Sequence, residues 1–205
     1  MKNRLLYTYK KMLLSRDGLA AVEFALFLPL FIILTFGAIE VTRYVLITQK
    51  MERVSISLSD LVAQSKNVNS GDLSQIILAA SQLMLPYDFD TNGYAIISSV
   101  TKTGEDPPVI NWQYTSGGTV QTSLVGTSGG NATMPGGFAI TDKETVIIAE
   151  VFFSYEPILS GTIYNSSTMY RYSIHKPRLG DLKVLGYNIY SPKNLWGEIW
   201  REIYA

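Results

Sequence analysis

The apolar residues of this chain change their rhythm along its length, and each rhythm predicts a different element. From Leu19 to Ile39 the sequence reads LAAVEFALFLPLFIILTFGAI, 21 residues interrupted by one charge, Glu23. A helix of that length spans roughly 31 Å, about the thickness of a bilayer's hydrocarbon core. No other stretch comes close, so the pattern predicts a single membrane span. Beyond it the apolar positions turn periodic: Tyr44, Ile47, Met51, Val54, Leu58 and Leu61 are spaced 3, 4, 3, 4, 3. That is an a/d heptad seam. No glycine or proline lies between Gly37 and Gly71, so one helix is expected from about residue 19 to 65, roughly 70 Å of it. The seam either packs on the protein's own globular domain or meets a partner helix in a short coiled coil.

Asn67-Val68-Asn69-Ser70-Gly71 has turn chemistry. Asp72 is expected to cap a second helix over 72–84, with Leu73, Ile76, Ile77, Ala80, Leu83 and Met84 on one face and Pro86 ending it. The pattern then becomes β-rich. Tyr94–Val100, Val109–Tyr114 and Thr119–Val125 read as short strands, and residues 126–137 (GTSGGNATMPGG) as a flexible loop with little capacity to form a core. Thr145–Tyr155 is the clearest strand, with Ile147, Ala149, Val151, Phe153 and Tyr155 on one face and Glu150 and Ser154 on the other. Met169–His175 is expected to pair with it. Near the C-terminus Leu195, Trp196, Ile199, Trp200, Ile203 and Tyr204 form one stripe of a short helix. Such a stripe docks on its own core, on a membrane surface or on another subunit.

Charge gives the span a direction. Lys2, Arg4, Lys10, Lys11 and Arg16 precede it against Asp17 alone. An excess of basic residues on one flank predicts a cytoplasmic N-terminus, with residues from about 42 onward outside. Without that segment 12 basic residues stand against 16 acidic, a poor balance for binding nucleic acid. There is no cysteine, which excludes disulfides and thiolate chemistry, and His175 is the one histidine. No H-E-x-x-H, phosphate-binding loop or calcium-loop spacing occurs. No catalytic, metal-binding or cofactor-binding residue is therefore assigned, and no small-molecule substrate is expected. After Ile39 the residues Glu40 to Tyr44 lack the small-x-small pattern of a signal-peptidase site. The span is expected to remain as an anchor, uncut on that side.

Two residues in the span stand out. Pro29 removes a backbone donor; it either kinks the helix or is merely tolerated in lipid. Glu23 either snorkels to the interface or has a role, since a carboxylate in hydrocarbon costs a few kcal/mol. If the chain is cut after Gly18, Leu19 gains an ammonium one helical turn away, and each charge lowers the burial cost of the other.

The run Arg16-Asp17-Gly18-Leu19-Ala20-Ala21-Val22-Glu23-Phe24 resembles the TadE/TadF family of pseudopilins from Tad (tight adherence, Flp-type) pilus systems. The late strand pair, running into Pro177-Arg178, is similar to that family more loosely. The resemblance implies processing between Gly18 and Leu19 by a prepilin peptidase, and an assembly carboxylate at Glu23 beside Phe24. It implies other pilins or pseudopilins, Tad assembly proteins and membrane lipid as partners, and residence in a bacterial inner membrane. The expected fold is α+β, a pilin-like stalk and head. A long N-terminal transmembrane and stalk helix leads to a small antiparallel-sheet head with a second helix. The expected segments are a leader over 1–18, a span over 19–41, a stalk over 42–66 and a head over 67–205. The alternative is an uncleaved, signal-anchored envelope protein that binds a partner through its head.

Overall fold

The structure, a computed structural model, describes residues 16–158 and 166–186, with side chains from Ala20 onward. Most of the expected leader and the whole aromatic stripe Leu195–Tyr204 lie outside the described residues. The chain forms two compact units, Met1–Val45 and Leu46–Ala205. Helix α1 (Arg16–Ala63) contributes residues to both.

The second unit is α+β, as expected. Strands β1 (Gly93–Thr101), β2 (Val109–Gly117), β3 (Thr145–Tyr155) and β4 (Ser167–His175) form one antiparallel sheet in the order β2-β1-β3-β4. Helices α2 (Ser70–Ser81) and α3 (Phe89–Asn92) precede it. On the inner face Ala95, Ile97, Trp112, Ile147, Ala149 and Val151 join Ile47, Met51, Val54, Leu58 and Val62 of α1 and Leu73 and Ile77 of α2 in the main core.

That core decides what the α1 seam packs on: the protein's own sheet. Ile47, Met51, Val54 and Leu58 are fully buried, but Tyr44 and Leu61 are each 42% exposed. Val62 takes the place of Leu61 as the last large buried side chain of the helix. The seam thus runs 47, 51, 54, 58, 62. It follows the 3.6-residue period of a helix lying on a sheet, not the 3.5 of a supercoil.

The second helix begins and ends earlier than the expected 72–84. Asn69, not Asp72, is its cap: the Asn69 side chain accepts from the Gly71 N–H at 2.8 Å and the Asp72 N–H at 3.0 Å. Asp72 reciprocates by accepting from the Asn69 N–H at 3.1 Å, closing a capping box. At the other end Gln82–Met84 tighten into a 3₁₀ turn.

The expected strand Thr119–Val125 is absent. Gly117 takes φ 134, and a Cβ at Gly118 would lie 2.3 Å from the Asp90 carbonyl oxygen. A turn only glycines can make sends the chain over the outer face of the sheet. The expected core-free loop 126–137 also proves structural. Gly129 N–H donates to Ile110 O (2.7 Å) and Ile110 N–H to Gly130 O (3.0 Å), so the loop covers part of the β2 edge. Its Ala132 and Met134 pack on a second cluster of Val100, Ile110, Val125, Ile140, Val146 and Ile148. Strand β3 is consequently covered on both faces, which is why Ile148 and Glu150 are as buried as Ile147 and Ala149.

Candidate functional site

The first unit holds the residues that the sequence singles out. Arg16 opens α1, which places Gly18 and Leu19 in the first turn, where backbone N–H groups lack intrahelical acceptors. Leu19 and Glu23 are four residues apart in unbroken helix, hence on one face, a turn from each other. Phe24 follows on the adjoining face and is 63% exposed. Pro29 lies inside α1, which the structure carries through it without interruption. A Cβ at Gly37 would meet no atom of the described residues beyond its own stretch of helix within 4 Å.

From Phe24 to Ile39 this helix is apolar on every side. Large apolar residues from Val22 to Ile39 are 40–76% exposed. Among the described residues α1 alone is long and apolar enough to cross a membrane. A helical segment whose apolar side chains stay exposed among the described residues requires lipid or other helices as solvent. The span supports a single-pass membrane topology.

In the second unit the one histidine lies among serines. His175 Nδ1 lies 2.8 Å from Ser59 Oγ and 3.3 Å from Ser173 Oγ. Ser59 is fully buried, and its hydroxyl is also 2.9 Å from Ser55 O and 3.1 Å from Ile56 O. With the Ser59 hydrogen given to the helix carbonyls, Nδ1 is assigned as the donor. The pair ties α1 to β4; it does not present a hydroxyl to a base. Arg178 reinforces the tie through Asp60 (2.6 Å) and through its N–H to Ala63 O (2.8 Å). No three His, Asp or Glu side chains among the described residues converge to hold a metal.

Sequence reasoning missed the role of Glu150. It is fully buried on β3, yet its carboxylate is saturated with donors. Leu124 N–H (2.9 Å) and Tyr170 O–H (3.1 Å) reach Oε1, while the Ser123 hydroxyl reaches Oε2. Ser123 Oγ in turn accepts from the Val125 N–H at 3.1 Å. Burial, then the Glu150 charge and hydrogen bond, push the Tyr170 phenol above its ordinary value. The carboxylate clamps the crossing segment onto the sheet. A lone acid inside an apolar strand pattern was the available signal, since buried charges are retained only when paired or saturated with hydrogen bonds.

No curated protein matches this chain, and no solved structure does. A family does match the N-terminal region, over the segment that carries the Gly18–Glu23 opening, the apolar span and the first buried seam residues. Residues 18–55 match the family described as TadE-like protein.

Proposed function

We propose that this protein is a pseudopilin, or minor pilin, matured by prepilin-peptidase cleavage after Gly18 and contributing to the assembly of a Tad-type (Flp) pilus or its secretion machine. The observation that carries the reading is the placement of Gly18-x-x-x-x-Glu23 at the start of the chain's one apolar span, inside the family match over 18–55. Gly18 sits in the first helical turn, the part of α1 that opens at least cost to admit a peptidase. The basic flank keeps that turn at the cytoplasmic face and the second unit outside.

Cleavage frees the Leu19 amine one turn from Glu23, on the same face. The ammonium and carboxylate of one subunit, or of two neighbours, then enter a helix bundle together. Each offsets the desolvation of the other, which a lone Glu23 in hydrocarbon lacks. The exposed apolar surface of α1 supplies the packing, and the second unit is the part displayed.

Coexpression with a Tad prepilin peptidase tests this directly. The expected result is a downward gel shift of about 2 kDa, the share of 18 residues in a 205-residue chain of 22.8 kDa. Gly18→Ala should abolish the shift. Glu23→Val should leave cleavage intact but reduce recovery with other pilus subunits. An unshifted wild-type chain that still reaches its partners would instead favour an uncleaved anchor that binds through its displayed unit.

A further inference from the structure

We propose that the free edge of β4 takes an extended segment of another protein as a fifth strand, and that Arg171 selects a segment carrying a carboxylate. The direction of the backbone groups comes first. At the end of the β1–β3 pair, Lys102 N–H donates to Glu144 O at 3.1 Å. Backbone bonds alternate sides along a strand, and the β1–β3 and β3–β4 registers run without a shift. Ile147, Ala149, Val151 and Phe153 therefore bond to His175, Ser173, Arg171 and Met169. The N–H and C=O groups of Thr168, Tyr170, Tyr172 and Ile174 are left on the far side of β4. The opposite edge of the sheet is covered where the loop bonds to Ile110, but among the described residues no segment does the same for β4. An unpaired row along a strand of 9 residues is a template for strand addition.

Charge selects the occupant. The Arg171 guanidinium curls back to donate to Tyr170 O at 2.7 Å, on that outer row. The ion pairs among the described residues engage Arg43, Lys176, Arg178 and Lys183, and Arg171 is in none of them. A guanidinium forms its strongest contacts with a carboxylate. An Asp or Glu opposite Arg171 on an incoming strand draws the guanidinium onto itself, which frees Tyr170 O to accept an N–H of that strand. A second β4 cannot supply this. Ser167–His175 holds Arg171 and no acid, so two such edges laid together bring like charges across the pair, which is destabilising. On the other face Tyr172 is 39% exposed, its ring 5.9 Å from that of Tyr170, whose hydroxyl is fixed on Glu150. That platform suits an apolar side chain next in sequence to the acid, since neighbours along a strand face opposite sides. The site requires no cleavage after Gly18, so its failure would leave the pseudopilin reading standing.

The test uses the full chain in phosphatidylcholine nanodiscs and the blocked peptide acetyl-Val-Thr-Val-Glu-Val-Thr-Val-amide. Bound peptide should slow amide exchange over Ser167–His175 and leave β2 unchanged. By fluorescence anisotropy the peptide with Gln in place of Glu should bind about ten-fold more weakly, the loss of one charge-assisted contact. Arg171→Glu should reject the Glu peptide and take the one with Lys in its place, a reversal that a misfolded variant would not show. Four results would each overturn the proposal. One is equal binding of the Glu and Gln peptides to the unaltered chain. Another is binding without slower exchange in β4. A third is exchange over β4 already as slow as over β1 before peptide is added, which would place part of this chain on the edge. The fourth is protection of β4 that grows with protein concentration alone, which would make a second copy the occupant.

Discussion

Removing the acceptor at Glu150 should detach the segment that crosses the outer face of the sheet, and the size of the effect follows from its three donors. In Glu150→Gln the amide oxygen can occupy the Oε1 position and keep Leu124 N–H (2.9 Å) and Tyr170 O–H (3.1 Å). The new NH₂ then faces Ser123 Oγ, which already accepts from Val125 N–H at 3.1 Å. One charge-assisted bond is lost and two are weakened, an expected cost of about 1–2 kcal/mol. In Glu150→Leu no acceptor remains, and each orphaned donor costs about 1–3 kcal/mol, partly offset by water where the segment is exposed. The expected total is about 3–5 kcal/mol. Hydrogen exchange of the full chain in nanodiscs, read by mass spectrometry on a peptide covering Ser123–Gly126, separates the variants. At tenfold per 1.4 kcal/mol, exchange should rise about tenfold for Gln and more than about a hundredfold for Leu. Exchange in Glu150→Leu within about twofold of wild type would refute the clamp.

Two further predictions address the core and the surface. Met51→Ala, at a fully buried seam position, should cost about 2–5 kcal/mol in urea unfolding, whereas Leu61→Ala should stay within about 0.5 kcal/mol. Equal costs would restore the coiled-coil seam. The Glu144 carboxyl is held below its ordinary value, first by a hydrogen bond from the Lys176 ammonium and next by the Thr141 N–H. A depressed carboxylate contributes stability that is present above the ordinary value of 4.5 and is lost as pH falls through the folded-state pKa. Glu144→Gln should flatten the stability–pH curve below that point, and an unchanged slope would remove Glu144 from the acid response.

The contributions of sequence and tertiary structure separate along physical lines. The membrane span was legible because hydrocarbon requires about 20 consecutive apolar residues, a demand that local composition alone meets. Strand β3 was legible because its inner face repeats Ile147, Ala149, Val151, Phe153 and Tyr155 at period two. The α1 seam was legible as a seam, but not its partner: a heptad and a 3.6-residue stripe diverge by only about 40° in four turns, and only the sheet selected Val62 over Leu61. The segment from Thr119 to Val125 has the composition of a strand, yet Gly117 and Gly118 turn it away and Glu150 holds it elsewhere. Short β-rich runs carry no record of which edge is free to receive them. Likewise Ser59 and His175, 116 residues apart, meet because α1 crosses the sheet that ends at His175. By itself the sequence determined what obeys local rules: the span, its opening at Gly18–Glu23, and the alternation of β3. Tertiary structure decided every choice between partners of similar chemistry, because burial and hydrogen-bond saturation are properties of the assembled core.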